Sequence, residues 1–301
     1  MHPAISVIFF TVTSGAGFGL IFLLGLGVPM PEGPTAAFLA SALAIGLSVA
    51  GLVSSTFHLG HAERAWRAFS QWQSSWLSRE GVLSVITLSL FGLYALIWLM
   101  TGERNGLLGF VSAAFAALTI YATAMIYAQL KTVPAWHTWL TPLCYLGFGV
   151  SSGFLLALSF GEMDRNFAVM ALLINAGFWF VKDRWWRRLD SVGFSETGSD
   201  VGTATGLGKI GKVKLLEKPH SGENYLTKEM VHQIGRKHAE KLRLIAKFAG
   251  GLVPALVLIA IILFGAPGYI AVVGFFSIMV GLFAERWLFF AEAKHAVSLY
   301  Y

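Results

Sequence analysis

Histidine, carboxylate and arginine side chains gather in the connection between two long apolar stretches of this sequence. His58 follows the first stretch, Glu80 directly precedes the second, and His61, Arg64 and Arg67 lie between them. A histidine titrates near neutral pH and a carboxylate can pass on a proton, so the two together suit a reaction that moves protons. If both apolar stretches cross a membrane, His58 and Glu80 meet at the same surface of it.

A quinone is one ligand class that suits these side chains. Its two carbonyl oxygens need hydrogen-bond partners, and its reduction takes up two protons with two electrons, which His58 and Glu80 can serve. The candidate quinone-binding residues of the region 56–80 are His58, His61, Arg64, Arg67, Trp76 and Glu80. The alternative is that His58 and Glu80 cap helix ends, while the two arginines are ordinary anchors at the membrane surface.

Haem and metal ions are the other cofactors to weigh. A haem between two helices needs histidine ligands inside the bundle, and only His58 and His61 lie near an apolar stretch. A metal site built from these two histidines would need further ligands. The single cysteine, Cys144, excludes an intrachain disulfide, a CxxC metal site and an iron-sulfur cluster held by this chain alone. We therefore expect neither haem nor metal here.

Eight apolar stretches predict an all-α integral membrane protein. Each is long enough, or nearly so, to cross a hydrocarbon core of about 30 Å at about 1.5 Å per residue. The composition agrees, because 56% of the residues are hydrophobic and only 13% are charged. The predicted spans are residues 5–27, 36–57, 81–100, 107–126, 140–160, 166–181, 244–264 and 267–288. Small residues along the first span indicate close helix packing.

The distribution of positive charge predicts the orientation. When the connections are assigned alternately to two sides, only Arg104 and Arg165 among the 22 Lys and Arg residues fall on the side away from the termini. Cytoplasmic loops carry the Lys and Arg excess. We therefore expect both termini in the cytoplasm, which for a bacterial protein means a location in the inner membrane. Ionisable groups are scarce at mid-depth, which disfavours a pump or an ion-coupled transporter.

One long segment outside the spans divides the chain into three parts. Six helices occupy residues 1–181, the segment covers residues 182–243, and two helices with a short tail occupy residues 244–301. Residues 182–247 hold 14 Lys and Arg against 8 Asp and Glu, a surplus that equals the net charge of +6 of the whole chain. We call residues 182–243 the basic segment.

The basic segment has three possible roles. It can set the topology and attract anionic lipid, dock a soluble partner, or bind nucleic acid, although no nucleic-acid-binding motif accompanies it. The docking role is favoured by apolar residues between the charges, because they exceed what a solvated tether needs. The candidate docking residues are Lys209, Lys212, Lys214 and Lys218.

Four short sequences along the chain carry a resemblance to known proteins. They are His2-Pro-Ala-Ile-Ser-Val, Ser14-Gly-Ala-Gly-Phe-Gly-Leu, His58-Leu-Gly-His-Ala-Glu-Arg-Ala-Trp-Arg with Ser78-Arg-Glu80 beyond it, and Thr132-Val-Pro-Ala-Trp followed by Thr141-Pro142. Together they resemble the membrane-anchor subunits of dimethyl sulfoxide (DMSO) reductase and of cytoplasmic sulfite dehydrogenase. The resemblance extends over nearly all eight spans.

This resemblance implies an eight-helix anchor for two soluble subunits. One partner would carry molybdopterin and catalyse the reaction, and the other would carry the iron-sulfur clusters. The anchor would exchange electrons with menaquinone or ubiquinone, and His58 and Glu80 match the quinone-site residues of the family. The long basic segment and the inside termini resemble the sulfite dehydrogenase branch, so we expect electrons to pass from sulfite to quinone. The alternatives are the anchor of a DMSO-type reductase that oxidises quinol, and a secondary transporter or non-redox membrane scaffold.

Overall fold

The computed structural model describes most of the chain as helices. It covers residues 4–28, 31, 33–58, 61–161, 164–194, 198, 200–214, 216–217 and 238–299, with residues 58, 62 and 297 described by their backbone. The α-helices are α1 (Ile5–Leu26), α2 (Gly33–Ser54), α3 (Trp76–Thr101), α4 (Gly106–Ala128), α5 (Leu140–Phe160), α6 (Arg165–Ser191), α7 (Val201–Thr205), α8 (Ala239–Phe264) and α9 (Ala271–Ala291). Two 3-10 helices, Ser55–His58 and Ala62–Phe69, connect α2 to α3.

Seven helices of the described residues are long and apolar enough to cross a membrane: α1 to α5, α8, and α9 with the short turn before it. The predicted all-α membrane protein is thereby confirmed. The sixth predicted span forms α6 but is not among the seven. The reason lies in its sequence, because Lys182, Asp183 and Arg184 directly follow its apolar first half.

Two helices extend past their predicted limits. The helix α6 continues to Ser191, so the expected boundary between residues 181 and 182 falls inside a helix. The helix α3 begins at Trp76 rather than at residue 81. Polar groups are tolerated in these extra turns because they lie at the end of the bundle, where side chains still find polar partners. Glu80 is consequently part of α3.

The first helix lies at the centre of the bundle and packs against α2, α4 and α5. Close approach to α4 depends on a pair of glycines. A Cβ atom placed on Gly25 would lie 2.5 Å from the carbonyl oxygen of Gly109, and one placed on Gly109 would lie 2.5 Å from that of Gly25. The small residues of α1 therefore serve helix packing, as expected from the sequence.

Contacts between helix ends show at which end of the bundle each connection lies. On the first side, the Ser54 hydroxyl at the end of α2 donates to the carbonyl oxygen of Ser6 at the start of α1 (3.0 Å). On the second side, Pro31 and Gly161 pair in an isolated β-bridge. The connection between α2 and α3 thus lies at the same end of the bundle as the start of α1. We call this end the charged side.

The helix α6 lies antiparallel to both α5 and α8. Near its end, the Trp185 indole donates to the hydroxyl of Thr141 at the start of α5 (3.1 Å). Further back, the Trp179 indole donates to the carbonyl oxygen of Gly250, in a π-helical turn of α8 (2.8 Å). The helix therefore occupies the same depth of the bundle as its two neighbours.

Candidate functional site

A cavity of about 1010 Å³ lies between α1, α2, α3 and α4 on the charged side. Its walls are mostly apolar and include Val7 and Phe10 of α1, Val85 of α3 and Ile126 of α4. The polar residues that line it are Ser55, Thr56, His61, Arg64, Arg67, Glu80, Ser84 and Tyr127. An apolar cleft with a few converging polar groups is the usual form of a small-molecule site. We call it the Glu80 cavity.

The carboxyl group of Glu80 is the buried acid of this cavity. Only 4% of the residue is exposed, because α3 already begins one turn earlier and carries it into the bundle. The Thr123 hydroxyl of α4 donates to Oε1 of Glu80 at 2.5 Å. Burying a carboxyl group is costly unless it is hydrogen-bonded, and Thr123 provides such a bond. Glu80 is therefore held in place beside any ligand in the cavity.

The 3-10 helix Ala62–Phe69 forms the mouth of the cavity. His61 Nδ1 lies 2.9 Å from Glu63 Oε1, and Arg64 Nε lies 3.7 Å from the same oxygen. These pairs are exposed, and exposed ion pairs contribute only about 0–1 kcal/mol. A firmer contact is apolar, since a Cβ atom on Gly81 would lie 3.2 Å from Cε1 of Phe69. The absence of a side chain at position 81 lets the mouth segment pack onto α3.

The structure brings together four of the six candidate quinone-binding residues. His61, Arg64, Arg67 and Glu80 all line the Glu80 cavity. His58 ends the 3-10 helix Ser55–His58, whose first two residues also line the cavity, but its side chain lies outside the described part of the structure.

Trp76 is not among the residues that line the cavity. Its ring packs edge-on against Tyr121 of α4, with 5.8 Å between centroids. The guanidinium of Arg79 lies 4.5 Å from the centre of the Trp76 ring and donates to the carbonyl oxygens of Trp72 (3.0 Å) and Gln73 (2.6 Å). Trp76 and Arg79 thus hold the connection before α3, at a position outside the cavity lining.

Tyr127 lines the cavity and was not singled out from the sequence. Its ring lies 5.4 Å from that of Trp136 and 6.0 Å from that of Tyr145. The Trp136 indole in turn donates to the carbonyl oxygen of Phe289 in α9 (2.9 Å). Tyr127 stands in an apolar helix without a motif, so no sequence signal identified it. These rings connect the Glu80 cavity with the connection between α4 and α5.

Three charged residues beside this aromatic cluster are buried. Lys182 of α6 forms an ion pair with Glu285 of α9, and Arg286 Nη1 lies 3.2 Å from Glu285 Oε2. From the sequence, Lys182 and Arg286 counted as charges of the cytoplasmic surface. The structure places both inside the bundle, because helix packing supplies them with a shared carboxylate and aromatic rings.

The Thr123 side chain that binds Glu80 also borders a small cavity beside this charged cluster. Thr123, which binds Glu80, and Arg286 both line a second cavity of about 10 Å³, about the size of one water molecule. The hydroxyl of Tyr145 borders the same cavity, and no described residue hydrogen-bonds to it. Within the described residues, no group of three or more His, Cys, Asp and Glu could hold a metal ion.

The described part of the basic segment is exposed. It contains α7, whose first turn is closed by a capping box between Asp200 and Thr203. The hydrogen bond from the backbone amide of Thr203 is the main cause that lowers the pKa of the Asp200 carboxyl group. Lys209, Lys212 and Lys214 point into solvent, while Lys218 lies outside the described residues. Apolar side chains are exposed beside them, with Ile210 at 85% and Leu216 at 102%. The surface thus combines positive charge with apolar area.

Comparison with known proteins gives one family and one relative. Residues 1–180 match the family described as DMSO reductase anchor subunit (DmsC). The chain is also similar to a sulfite dehydrogenase subunit from Allochromatium vinosum, with 32% identity over 330 aligned positions that cover 100% of this chain and 99% of the relative. No solved structure matches the chain. Both matches include the residues of the Glu80 cavity.

Proposed function

The chain belongs to the family of DMSO reductase anchor subunits, and from this premise we propose that it anchors a molybdopterin and iron-sulfur oxidoreductase and exchanges electrons with membrane quinone. Its single cysteine supports this division of labour, because the iron-sulfur clusters must then be held by a partner subunit. The name of the relative, a sulfite dehydrogenase subunit, favours sulfite as the electron donor and quinone as the acceptor. The membrane would be the inner membrane of a bacterium.

The Glu80 cavity is the proposed quinone site, and its dimensions and lining support this. Its volume of about 1010 Å³ is at the upper end of the about 300–1000 Å³ usual for small-molecule sites, which suits a ring with an apolar tail. When bound, the quinone supplies two-electron chemistry coupled to two protons. The buried carboxyl of Glu80, held at Oε1 by Thr123, lies where a ligand proton can be taken or given.

The other proposed binding residues act around this carboxyl. His61 at the mouth, and His58 as expected from the sequence, can donate to a ligand oxygen and exchange protons near neutral pH. The guanidinium groups of Arg64 and Arg67 place positive charge at the mouth, where it stabilises negative charge that develops on the ligand. Trp76 contributes by holding the connection that precedes α3.

We further propose that the chain crosses the membrane eight times with both termini in the cytoplasm. The helix α6 has 27 residues, about 40 Å at about 1.5 Å per residue, and lies antiparallel to two neighbours that are apolar enough to cross. Its buried Lys182 is paired with Glu285, as charges within membranes usually are. The excess of Lys and Arg on the charged side supports a cytoplasmic location of that side, where the soluble subunits would dock.

The proposed role of the Glu80 cavity is tested by measuring quinone reduction separately from electron transfer to an artificial dye. In membranes that contain the intact complex, Glu80→Gln and His58→Ala should each lower sulfite-dependent reduction of a quinone analogue at least about 10-fold, because a positioned acid or base is lost. Activity with a dye that takes electrons directly from the iron-sulfur subunit should persist. Glu103→Gln, an equal change at an exposed position near the other end of α3, is the matched control.

The outcomes distinguish the possible roles of these residues. Normal quinone turnover in both variants would place the site elsewhere. Loss of dye activity as well would mean that the residues maintain the fold or the interface with the partner. Turnover only with DMSO and a quinol donor would reverse the direction and favour the reductase alternative, with the anchor role unchanged.

A further inference from the structure

A groove separate from the Glu80 cavity lies between α4, α5 and α6 on the charged side. It consists of two adjoining cavities of about 730 and 710 Å³, which share Trp139, Leu140 and Arg188. We call it the α5–α6 groove. On α4 it is lined by Tyr121 and other residues that do not line the Glu80 cavity. It therefore offers a second site on a different face of the protein.

The lining of the groove changes from apolar to cationic along α6. Phe180 is 65% exposed, and Trp139 at the start of α5 is 72% exposed. Arg184 and Arg187 follow Phe180 by one and two turns, on the same side of the helix. Large apolar side chains thus stand beside the guanidinium groups at the end of the membrane-crossing part. A phospholipid has the same order of groups, with acyl chains at the apolar level and a phosphate at the surface.

The charges of the groove favour an anion. No Asp or Glu is found among the described residues that line it, whereas three arginines are. Arg187 has a nearby carboxylate, since its Nε lies 2.8 Å from Asp183 Oδ2. That carboxylate is shared with Lys247, whose Nζ lies 2.7 Å from Oδ1. The negative charge of Asp183 is therefore divided between two cations, and among the described residues of the groove Arg184 and Arg187 retain a positive surplus.

We propose that the α5–α6 groove binds the phosphate group of an anionic phospholipid from the leaflet on the charged side. Basic pockets between membrane helices recognise such head groups, and bidentate arginine–phosphate bonds give them geometry as well as charge. The exposed Trp139 and Phe180 favour a lipid over free phosphate, because they add apolar contact for the acyl chains. The bound lipid would hold the end of α6, from which the basic segment continues. The proposal does not depend on the quinone site.

The first test is the lipid that remains bound to the purified protein. The full chain, with its partner subunits, is extracted in a mild detergent, and bound phospholipids are identified by native mass spectrometry. The wild type should be enriched in phosphatidylglycerol or cardiolipin over phosphatidylethanolamine. Arg184→Gln with Arg187→Gln should reduce that enrichment about 25-fold, since each basic side chain near the surface contributes about fivefold.

Two further variants control for charge and folding. Lys209→Gln with Lys212→Gln removes the same charge from the exposed basic segment and should leave the enrichment unchanged. Arg184→Lys with Arg187→Lys keeps the charge and should retain most of the enrichment even if the glutamine pair misfolds. Equal enrichment in the wild type and the glutamine pair, or equal loss in the Lys209 and Lys212 control, overturns the proposal.

The second test distinguishes a lipid from free phosphate and from a protein. Nanodiscs that contain phosphatidylglycerol should raise the unfolding temperature of the wild type relative to pure phosphatidylcholine, and this gain should be absent in the glutamine pair. Inorganic phosphate should give no gain. Stabilisation by inorganic phosphate alone, or a dimer that dissociates in the glutamine pair, would assign the groove to another occupant and overturn the proposal.

Discussion

For residues near the charged side, the residue type predicts the surroundings in some cases and not in others. Glu80 was expected at the entrance of a span, and the structure buries it against Thr123 in the Glu80 cavity. Lys182 and Arg286 were expected at the surface, and both lie inside the bundle around Glu285. The difference arises because a charged side chain can be buried wherever the fold places an opposite charge beside it. No local sequence pattern predicts which distant residue will provide that charge.

The buried cluster leads to a stability prediction at the residue scale. Glu285→Gln leaves the two cations Lys182 and Arg286 inside the bundle without a carboxylate, whereas Lys182→Met leaves a balanced pair of Glu285 and Arg286. Removing one partner of a buried ion pair typically costs about 3–5 kcal/mol. We expect Glu285→Gln to lose stability in that range and Lys182→Met to lose clearly less.

Thermal unfolding of both variants in the same detergent checks this order. Lys182→Met removes a charge and keeps an apolar side chain of similar length, so it serves as the matched comparison. An unfolding temperature of Lys182→Met as low as that of Glu285→Gln would show that charge balance does not control the stability of the cluster.

At the scale of elements, the connections carry the proposed functional surfaces and the helices position them. The 3-10 helix Ala62–Phe69 brings His61, Arg64 and Arg67 to one cavity mouth, although the sequence alone placed them only in a connection. The basic segment exposes lysines beside Ile210 and Leu216. This combination is what a docking surface for an acidic partner needs, because charge steers the encounter and apolar contact strengthens it.

Charge reversal tests the docking role of the basic segment. Changing Lys209, Lys212, Lys214 and Lys218 to Glu should release the soluble subunits during purification, while the helices still insert in the membrane. High salt should weaken the wild-type complex, because exposed charges are screened. Arg165→Glu, an exposed change at the start of α6 on the other side, is the control and should retain the partners. Unchanged co-purification at low and high salt would favour lipid attraction instead.

At the scale of the whole molecule, the proposed number of crossings depends on α6. The helix lies antiparallel to α5 and α8, so its two ends lie on opposite sides of the bundle. A reporter fused in the connection 161–164 should then be active only in its periplasmic form. Reporters near Gly206 and after Tyr301 should be active only in their cytoplasmic form.

These fusions separate two parts of the topology proposal. If the reporters in the connection 161–164 and near Gly206 indicate the same side, α6 does not cross. If the reporter after Tyr301 indicates the periplasm, the orientation is reversed and the soluble subunits would dock on the other side. The reporter near Gly206 is the internal control, since it stands in the exposed basic segment.

The sequence by itself determined the class of protein and the family, and it predicted four of the residues that the structure places around the Glu80 cavity. The helical spans follow from long apolar runs, because a bilayer demands internal hydrogen bonding over a fixed thickness. The family expected from four short sequences is confirmed by the matches over residues 1–180 and over the full length. The grouping of His61, Arg64, Arg67 and Glu80 follows from the two spans that flank them.

Only the tertiary structure decided which side chains share a cavity or a buried cluster. Tyr127 and Thr123 join the site of Glu80 from α4, a contact between residues far apart in the chain. Trp76 stands apart from the cavity because its ring is occupied by Tyr121 and Arg79. The pattern of apolar residues predicts that a helix crosses the membrane. The rotation of that helix about its axis, and the helices that it contacts, depend on packing within the bundle. Those contacts exist only once the whole bundle has formed.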